Sequence, residues 1–100
     1  MDASKIKLII WDLDETFWNG TISEQKVAPV KQACDLVLLS SKKGIVNSIC
    51  SKNDEKPCID KLKEWDLDKY FVFNSINWEP KGQRIKDTVA VSYTHLTLPT

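Results

Sequence analysis

The sequence has 100 residues, of which 42% are hydrophobic, and its 14 basic residues balance 14 acidic ones. This length allows one small domain, and the zero net charge gives no reason to expect nucleic acid or an anionic membrane as a partner. No apolar stretch approaches the ~20 residues of a membrane span, so we expect a cytoplasmic protein. The three cysteines lack a paired metal-binding spacing and are expected to be reduced thiols.

The first predicted element is a strand that runs into two carboxylates. Leu8, Ile9 and Ile10 form a continuous apolar run, which is typical of a strand buried in a parallel sheet. Asp12 and Asp14 follow at its carboxyl end, where open α/β sheets place their ligand sites. A hard cation such as Mg²⁺ would offset the repulsion between these carboxylates, and one of them could then attack phosphorus. The alternative is a loop of helix-capping aspartates, and this motif alone leaves both interpretations open.

The rest of the sequence alternates helices and strands. An Asn-Gly turn signal flanked by aromatic residues predicts a small hairpin or flap after the acidic loop. The order β-α-β-α-β-α requires right-handed crossovers, and it predicts an α/β fold with a Rossmann-like, three-layer parallel sheet. The segment between Asp14 and Pro29 is too short for a folded cap domain, so we expect a capless, open site. The predicted elements are a flap over 17–22, a helix that Pro29 opens and Gly44 ends, a strand over 45–50, a helix over 54–65, a strand over 70–73 and a helix that begins near Lys81.

Three polar loops are predicted at the same edge of this sheet. They carry the Asp12/Asp14 pair, Ser51 and Lys81. A hydroxyl and backbone N–H groups at a helix start suit phosphate oxygens, and a lysine suits a phosphoryl group or the nucleophile. A lone serine there is usually a helix cap and a lone lysine is usually solvated, so only the combination carries the signal. Thr16 and Lys52, in two of these loops, are counted with the phosphate-binding candidates.

At these residues the sequence resembles the haloacid dehalogenase superfamily of aspartate-nucleophile phosphotransferases, over about residues 5–88. Residues 12–16 (Asp-Leu-Asp-Glu-Thr) are similar to its first motif, Ser51 to its second and Lys81 to its third. Within that superfamily, the amino-acid sequences of segments 11–18, 50–54 and 77–81 resemble the FkbH-like branch most. Members of that branch are associated with polyketide assembly lines and with glyceryl transfer from an acyl phosphate to an acyl carrier protein.

The resemblance implies a role for each matched residue. Asp12 would be the nucleophile that forms an aspartyl-phosphate, and Asp14 the general acid and then base. Mg²⁺ would bind the Asp12 carboxylate and the Asp14 carbonyl, Ser51 would hold the phosphoryl group, and Lys81 would offset its charge. The implied activity is that of a Mg²⁺-dependent phosphatase or phosphotransferase. Its implied partners are a phosphorylated small molecule or acyl phosphate and an acyl carrier protein.

Two other function classes stay open. A non-catalytic phospho-signalling or binding module also combines an acidic loop, a Ser/Thr and a Lys on a parallel sheet. Its phosphoacceptor, however, ends the third strand, whereas here the strongest acidic loop ends the first, which favours the enzyme. The third possibility is an inactive scaffold that keeps the fold without the chemistry.

The sequence departs from the superfamily pattern at its end. A fourth strand with paired acidic residues has no counterpart, so residues 1–88 are interpreted as the N-terminal part of a domain. Residues 91–100 resemble translated sequencing-adapter sequence, and residues 89–100 are interpreted as a foreign tail. The first strand would then lack a neighbour on one side. We therefore expect the 100-residue chain to be inactive and to aggregate.

Overall fold

The computed structural model describes residues 6–24 and 26–97, with side chains as far as Val91. Three parallel strands form the central sheet in the order β1-β4-β5, and a separate antiparallel pair, β2 and β3, forms a small flap. Three helices complete this part of the chain, and none of them is long and apolar enough to cross a membrane. In chain order the elements are β1 (Leu8–Trp11), β2 (Trp18–Asn19), β3 (Ala28–Pro29), α1 (Lys31–Lys42), β4 (Val46–Ser51), α2 (Glu55–Glu64), β5 (Ser75–Ile76) and α3 (Lys81–Thr97).

The predicted fold class is confirmed, because the strands are parallel and alternate with helices. Leu8 of β1 lies opposite Val46 of β4, and Cys50 of β4 lies opposite Ser75 of β5, all in parallel register. This register brings the carboxyl ends of all three strands to one edge of the sheet. The loops that follow them therefore meet there.

The ends of α1 follow from one glycine and one proline. Gly44 has a φ of +79°, the left-handed conformation predicted for the residue that stops this helix. Beyond it, the Ile45 amide donates to the Ser40 carbonyl at 2.9 Å. The predicted helix start was wrong by two residues, since Pro29 belongs to β3 and α1 begins at Lys31. Pro29 has no N–H to donate, and it is tolerated in this two-stranded flap because every strand there is an edge.

The predicted strand over 70–73 is wrong, and the chain pairs later. Tyr70 ends a short 3-10 turn, Phe71 makes a single bridge to Asn47, and Phe73 has a φ of +56°, which interrupts the extended backbone. Regular pairing resumes at Ser75, opposite Cys50. Between these two contacts the segment 71–75 advances by four residues while β4 advances by three, as in a β-bulge. The Ser48 hydroxyl donates to the Phe73 carbonyl within this bulge, at 2.9 Å.

The core is concentrated around the loop that follows β1. Leu13, Phe17 and Trp18 are fully buried. Phe17 makes edge-to-face ring contacts with Trp11 and Phe71, each at 5.4 Å between ring centroids. Leu13 lies between the two aspartates, and Phe17 and Trp18 follow them in the same loop. The packing of these buried side chains therefore fixes the position of the Asp12/Asp14 loop. The other buried apolar residues of the cluster are Ile22, Ala33, Val37, Ile49, Cys58, Leu62, Leu67 and Ile76.

Strand β1 lies at an edge of the described sheet. All four of its residues are only half-buried, although three of them are aliphatic. Beside this edge, Ile6, Ile9, Leu36 and Leu39 line an apolar groove, and both leucines are exposed. An uncovered edge next to apolar side chains is the feature from which aggregation is expected, and that outcome stays a prediction.

Helix α3 runs without interruption across residue 88, the predicted boundary of the foreign tail, and continues to Thr97. A continuous helix does not reveal the origin of its sequence. The division into residues 1–88 and 89–100 therefore stays a prediction, and residues 98–100 lie outside the described part of the chain.

Candidate active site

The acidic loop is a tight turn built on Leu13. The Leu13 carbonyl accepts hydrogen bonds from the amides of Thr16, Phe17 and Trp18, at 3.0–3.3 Å. The Leu13 amide donates in turn to Oδ1 of Asp12 at 2.8 Å. One of the two carboxylates that follow β1 is thereby oriented by the backbone of its own loop.

The flap holds the second carboxylate. Oδ1 of Asp14 accepts two hydrogen bonds, from Nε1 of Trp18 at 2.9 Å and from the Ile22 amide at 3.0 Å. Both donors belong to buried residues, so the carboxylate cannot turn away without losing contacts inside the core. The flap therefore acts on the site by fixing the direction of Asp14.

Asn53 connects Asp14 to the loop after β4. Its Nδ2 donates to Oδ2 of Asp14 at 3.1 Å and to Oγ of Ser51 at 3.0 Å. Asn53 is buried, with 4% of its surface exposed, and Ser51 is buried beside it. One amide thus ties together the carboxyl ends of β1 and β4 and places the Ser51 hydroxyl close to the acidic pair.

Lys81 completes the group from the start of α3. Its Nζ lies 3.0 Å from Oδ2 of Asp12, and both side chains are partly exposed, at 31% and 44%. An ion pair with this exposure contributes at most about 1 kcal/mol to folding. The pair therefore adds little to the stability of the fold, and it places a cation beside the Asp12 carboxylate.

Arg84 lies one turn beyond Lys81 on α3 and is buried, with 7% of its surface exposed. Its guanidinium donates to Oγ and to the carbonyl of Ser75, to the Ser51 carbonyl and to the Glu79 carbonyl, at 2.6–2.8 Å. Among the described residues it has no carboxylate partner, so these neutral acceptors satisfy it. Arg84 fastens the ends of β4 and β5 to the helix that carries Lys81.

Four of the six predicted site residues come together, and two do not. Asp12, Asp14, Ser51 and Lys81 are joined by direct contacts or through Asn53. Thr16 and Lys52 are exposed, and within the described ranges neither side chain has a hydrogen bond to this group. Their phosphate-binding roles stay predictions.

Three residues of the site were not predicted from the sequence. The sequence pattern assigns no role to Asn53, although an amide two residues after a strand end is well placed to bridge two loops. Trp18 was interpreted as part of the flap and not as a donor to Asp14. Arg84 gave no signal, because an arginine in a helix is usually exposed.

The arrangement offers hard oxygen ligands and few of them. No cluster of three or more His, Cys, Asp or Glu side chains that could hold a metal occurs in the described ranges 6–24 and 26–91. The carboxylate of Asp12 is partly exposed, and the backbone carbonyl of Asp14 lies two residues further along the same loop. Mg²⁺ is commonly held by one or two protein oxygens, with water and substrate phosphate as its other ligands, so this set fits that ion.

The cysteines near the site are unreactive by position. All three are free thiols, and Cys50, next to Ser51, is 2% exposed. Burial, together with the negative charges of Asp14 and Asp54, raises the pKa of Cys58 to about 12. The Cys58 thiol therefore remains protonated near neutral pH and is a poor nucleophile, and Cys50 is shielded from solvent by its burial.

The structure is similar to the crystal structure of the N-terminal part of protein BF1531 from Bacteroides fragilis, described as containing a phosphatase domain complexed with Mg. The TM-score is 0.73 at 19% sequence identity, over 97% of this chain and 29% of that one. This likeness supports the predicted α/β fold with a parallel sheet, and it gives no support for the FkbH-like branch. At this identity it shows the fold alone, and the present chain spans less than a third of the neighbour's length. No family model matches the sequence, and no curated protein matches it.

Proposed function

We propose that this chain carries the phosphoryl-transfer site of a Mg²⁺-dependent phosphatase or phosphotransferase in which Asp12 is the nucleophile. The observation that carries the proposal is the contact of 3.0 Å between Nζ of Lys81 and Oδ2 of Asp12. A partly exposed carboxylate at the end of a strand, oriented by the Leu13 amide and with a cation beside its other oxygen, suits attack on an incoming phosphoryl group. The neighbour's phosphatase domain and its Mg add support by analogy of fold.

The first half-reaction uses Asp12 and Asp14. A carboxylate oxygen of Asp12 attacks phosphorus, and the bond between phosphorus and the leaving-group oxygen breaks. Asp14, oriented by Trp18, Ile22 and Asn53, gives its proton to that oxygen. Lys81 and the Ser51 hydroxyl stabilise the negative charge spread over the phosphoryl oxygens.

The second half-reaction releases the phosphoryl group. Asp14 takes a proton from water, or from the hydroxyl or thiol of an acceptor, whose oxygen or sulfur attacks phosphorus. The bond to Asp12 breaks and the carboxylate is restored. Mg²⁺, bound through the Asp12 carboxylate and the Asp14 carbonyl, would supply further neutralisation of the phosphoryl charge.

The proposed substrates are phosphorylated small molecules or acyl phosphates. The flap between β1 and α1 is a two-stranded element and leaves Asp12 partly exposed, so a group presented by a larger molecule has access. Transfer of a glyceryl or acyl group to a carrier protein, as in the FkbH-like branch, is supported only by the sequence resemblance of segments 11–18, 50–54 and 77–81 to that branch.

A phosphate-release assay tests the proposal. Acetyl phosphate and a panel of sugar phosphates are incubated, with and without Mg²⁺, with the parent protein in which the predicted fourth strand completes the domain, because residues 1–100 alone are expected to be inactive. We expect turnover that requires Mg²⁺ and falls to background in Asp12→Asn. The matched control is Asp35→Asn, which removes an exposed carboxylate on α1. Turnover without Mg²⁺, or full activity of Asp12→Asn, would refute the proposal; absence of turnover in every variant would support the inactive scaffold.

A further inference from the structure

Trp78 is the largest apolar side chain that the described part of the structure leaves exposed, with 62% of its surface accessible. It lies in the loop between β5 and α3, three residues before Lys81, so the two Cα atoms are at most about 11 Å apart. An indole of this size in solvent forgoes a large hydrophobic gain. Its position beside the site suggests a reason for that exposure.

The indole is held in place although it is exposed. Its Nε1 donates to Oδ1 of Asp54 at 2.8 Å. The loop backbone around it is fixed as well, because the Glu79 amide donates to Oδ1 of Asn77 at 2.9 Å and the Glu79 carbonyl accepts from Arg84 at 2.7 Å. The ring is therefore oriented by a hydrogen bond while its face stays open to solvent.

Asp54 gives up a helix cap to make this contact. It is the N-cap residue of α2, where an aspartate normally accepts from the first amides of the helix, yet its side chain makes no capping hydrogen bond. Capping contributes typically about 1 kcal/mol. Its loss in favour of an exposed indole indicates that the orientation of Trp78 is what this aspartate serves.

The Trp78–Asp54 pair connects two of the loops that carry site residues. Asp54 directly follows Asn53, which contacts Asp14, and Trp78 precedes Lys81, which contacts Asp12. The indole thus joins the loops that follow β4 and β5, at the edge of the sheet where the acidic pair lies. The indole therefore lies at the same edge of the sheet as Asp12, the residue that would receive a phosphoryl group.

We propose that Trp78, held by Asp54, is the subsite for the organic portion of the phosphorylated substrate, and that this portion has a planar or apolar face. The inference rests on the proposed function, since it needs a phosphoryl group at Asp12. Aromatic faces bind planar and apolar groups through dispersion and edge contacts without demanding one hydrogen-bond pattern. The site therefore favours phosphates of aromatic or apolar groups over small hydrophilic ones.

Binding of two non-hydrolysable phosphonates tests this subsite without requiring turnover. Calorimetric titration with phenylphosphonate and methylphosphonate, in the presence of Mg²⁺, measures the preference for the ring. We expect the protein to bind phenylphosphonate about 3- to 10-fold more tightly. Trp78→Ala should abolish the preference while its affinity for methylphosphonate stays within about twofold, and Trp78→Phe should retain most of it.

Two further variants separate orientation from simple hydrophobicity. Asp54→Ala keeps the indole but releases it, so we expect the preference to fall below that of the unaltered protein. Leu39→Ala removes an exposed apolar side chain on α1, beside Gly44 and Ile45 at the opposite end of β4, and should change nothing. An equal loss of affinity for both phosphonates in Trp78→Ala, or a preference that survives it, would overturn the inference alone. If neither phosphonate binds the unaltered protein, the proposed phosphate site fails and the inference fails with it.

Discussion

Nζ of Lys81 lies 3.0 Å from Oδ2 of Asp12, although the two residues are 69 positions apart in the sequence. The contact joins the first strand to the start of the last described helix, and it is partly open to solvent. Surface pairs of this kind add little to stability. Under the proposed function, the contact would act on the reactivity of Asp12 more than on the stability of the fold.

Lys81→Met should separate these two roles. We expect phosphate release to fall by about 10²- to 10³-fold, since a preorganised charge next to the reacting group is lost. The free energy of unfolding should change by less than about 1 kcal/mol. Steady-state kinetics and urea denaturation measure the two effects. Lys86→Met, which removes an exposed lysine from the same helix, serves as the control; equal activity of the two variants would remove Lys81 from the site.

Arg84→Met, in contrast to Lys81→Met, should mainly lower the free energy of unfolding. The substitution leaves the carbonyls of Ser51, Ser75 and Glu79 without their buried donor, so we expect a loss of about 2–4 kcal/mol in the free energy of unfolding. Arg84→Lys keeps the charge but cannot reach all the acceptors, and should recover only part of this loss. Urea denaturation at neutral pH measures the three proteins. Full stability of Arg84→Met would show that these hydrogen bonds do not hold the strand ends together.

Gly20 should be irreplaceable in the flap. Its φ is +94°, and a Cβ atom there would lie 2.1 Å from the Lys26 carbonyl oxygen. We expect Gly20→Ala to destabilise the protein by about 1–2 kcal/mol or more and to lower activity, because the flap directs Asp14. Gly82→Ala is the matched control. Gly82 lies inside α3 with nothing close to its Cβ position, and alanine there should stabilise by about 0.5–1 kcal/mol. Equal effects of the two substitutions would contradict this explanation.

Much of the fold could be predicted because its signals are local. The apolar run of β1, the glycine after α1 and the proline before α3 each act on their nearest neighbours in sequence, and each element was found within two residues. The strand after α2 could not be placed in the same way. The sequence around Phe73 is suited to a strand, but the bulge depends on the register against β4, which local preferences do not encode.

In the site, too, the residues that follow local sequence signals could be predicted, and the contacts between residues far apart in the sequence could not. Asp12, Asp14, Ser51 and Lys81 could be proposed because each follows a strand end, where parallel sheets gather their loops. The supporting contacts of Asn53, Arg84 and Trp78 could not, since they depend on which side chains meet across 24 to 39 residues of sequence. Those contacts determine how the polar residues point.

The stability of the protein should fall at alkaline pH through Cys58. Burial, assisted by the charges of Asp14 and Asp54, raises the pKa of this thiol from 9.0 to about 12. The folded state therefore favours the protonated thiol, and its contribution is complete below pH 9 and lost as the pH rises towards 12. Chemical denaturation across this range should show a smaller decline for Cys58→Ala than for the unaltered protein. Parallel curves for the two proteins would show that the thiol does not titrate in this way.

The central claim is that Asp12 accepts the phosphoryl group, and chemical trapping of that group tests it most directly. The parent protein is mixed with acetyl phosphate and Mg²⁺, quenched in acid, digested and analysed by mass spectrometry, with Asp14→Asn included to slow hydrolysis. We predict one phosphoryl group on the peptide that contains Asp12, labile to hydroxylamine as an acyl phosphate is, and absent in Asp12→Asn. A phosphoryl group on any other residue, or the same modification in Asp12→Asn, would contradict the claim.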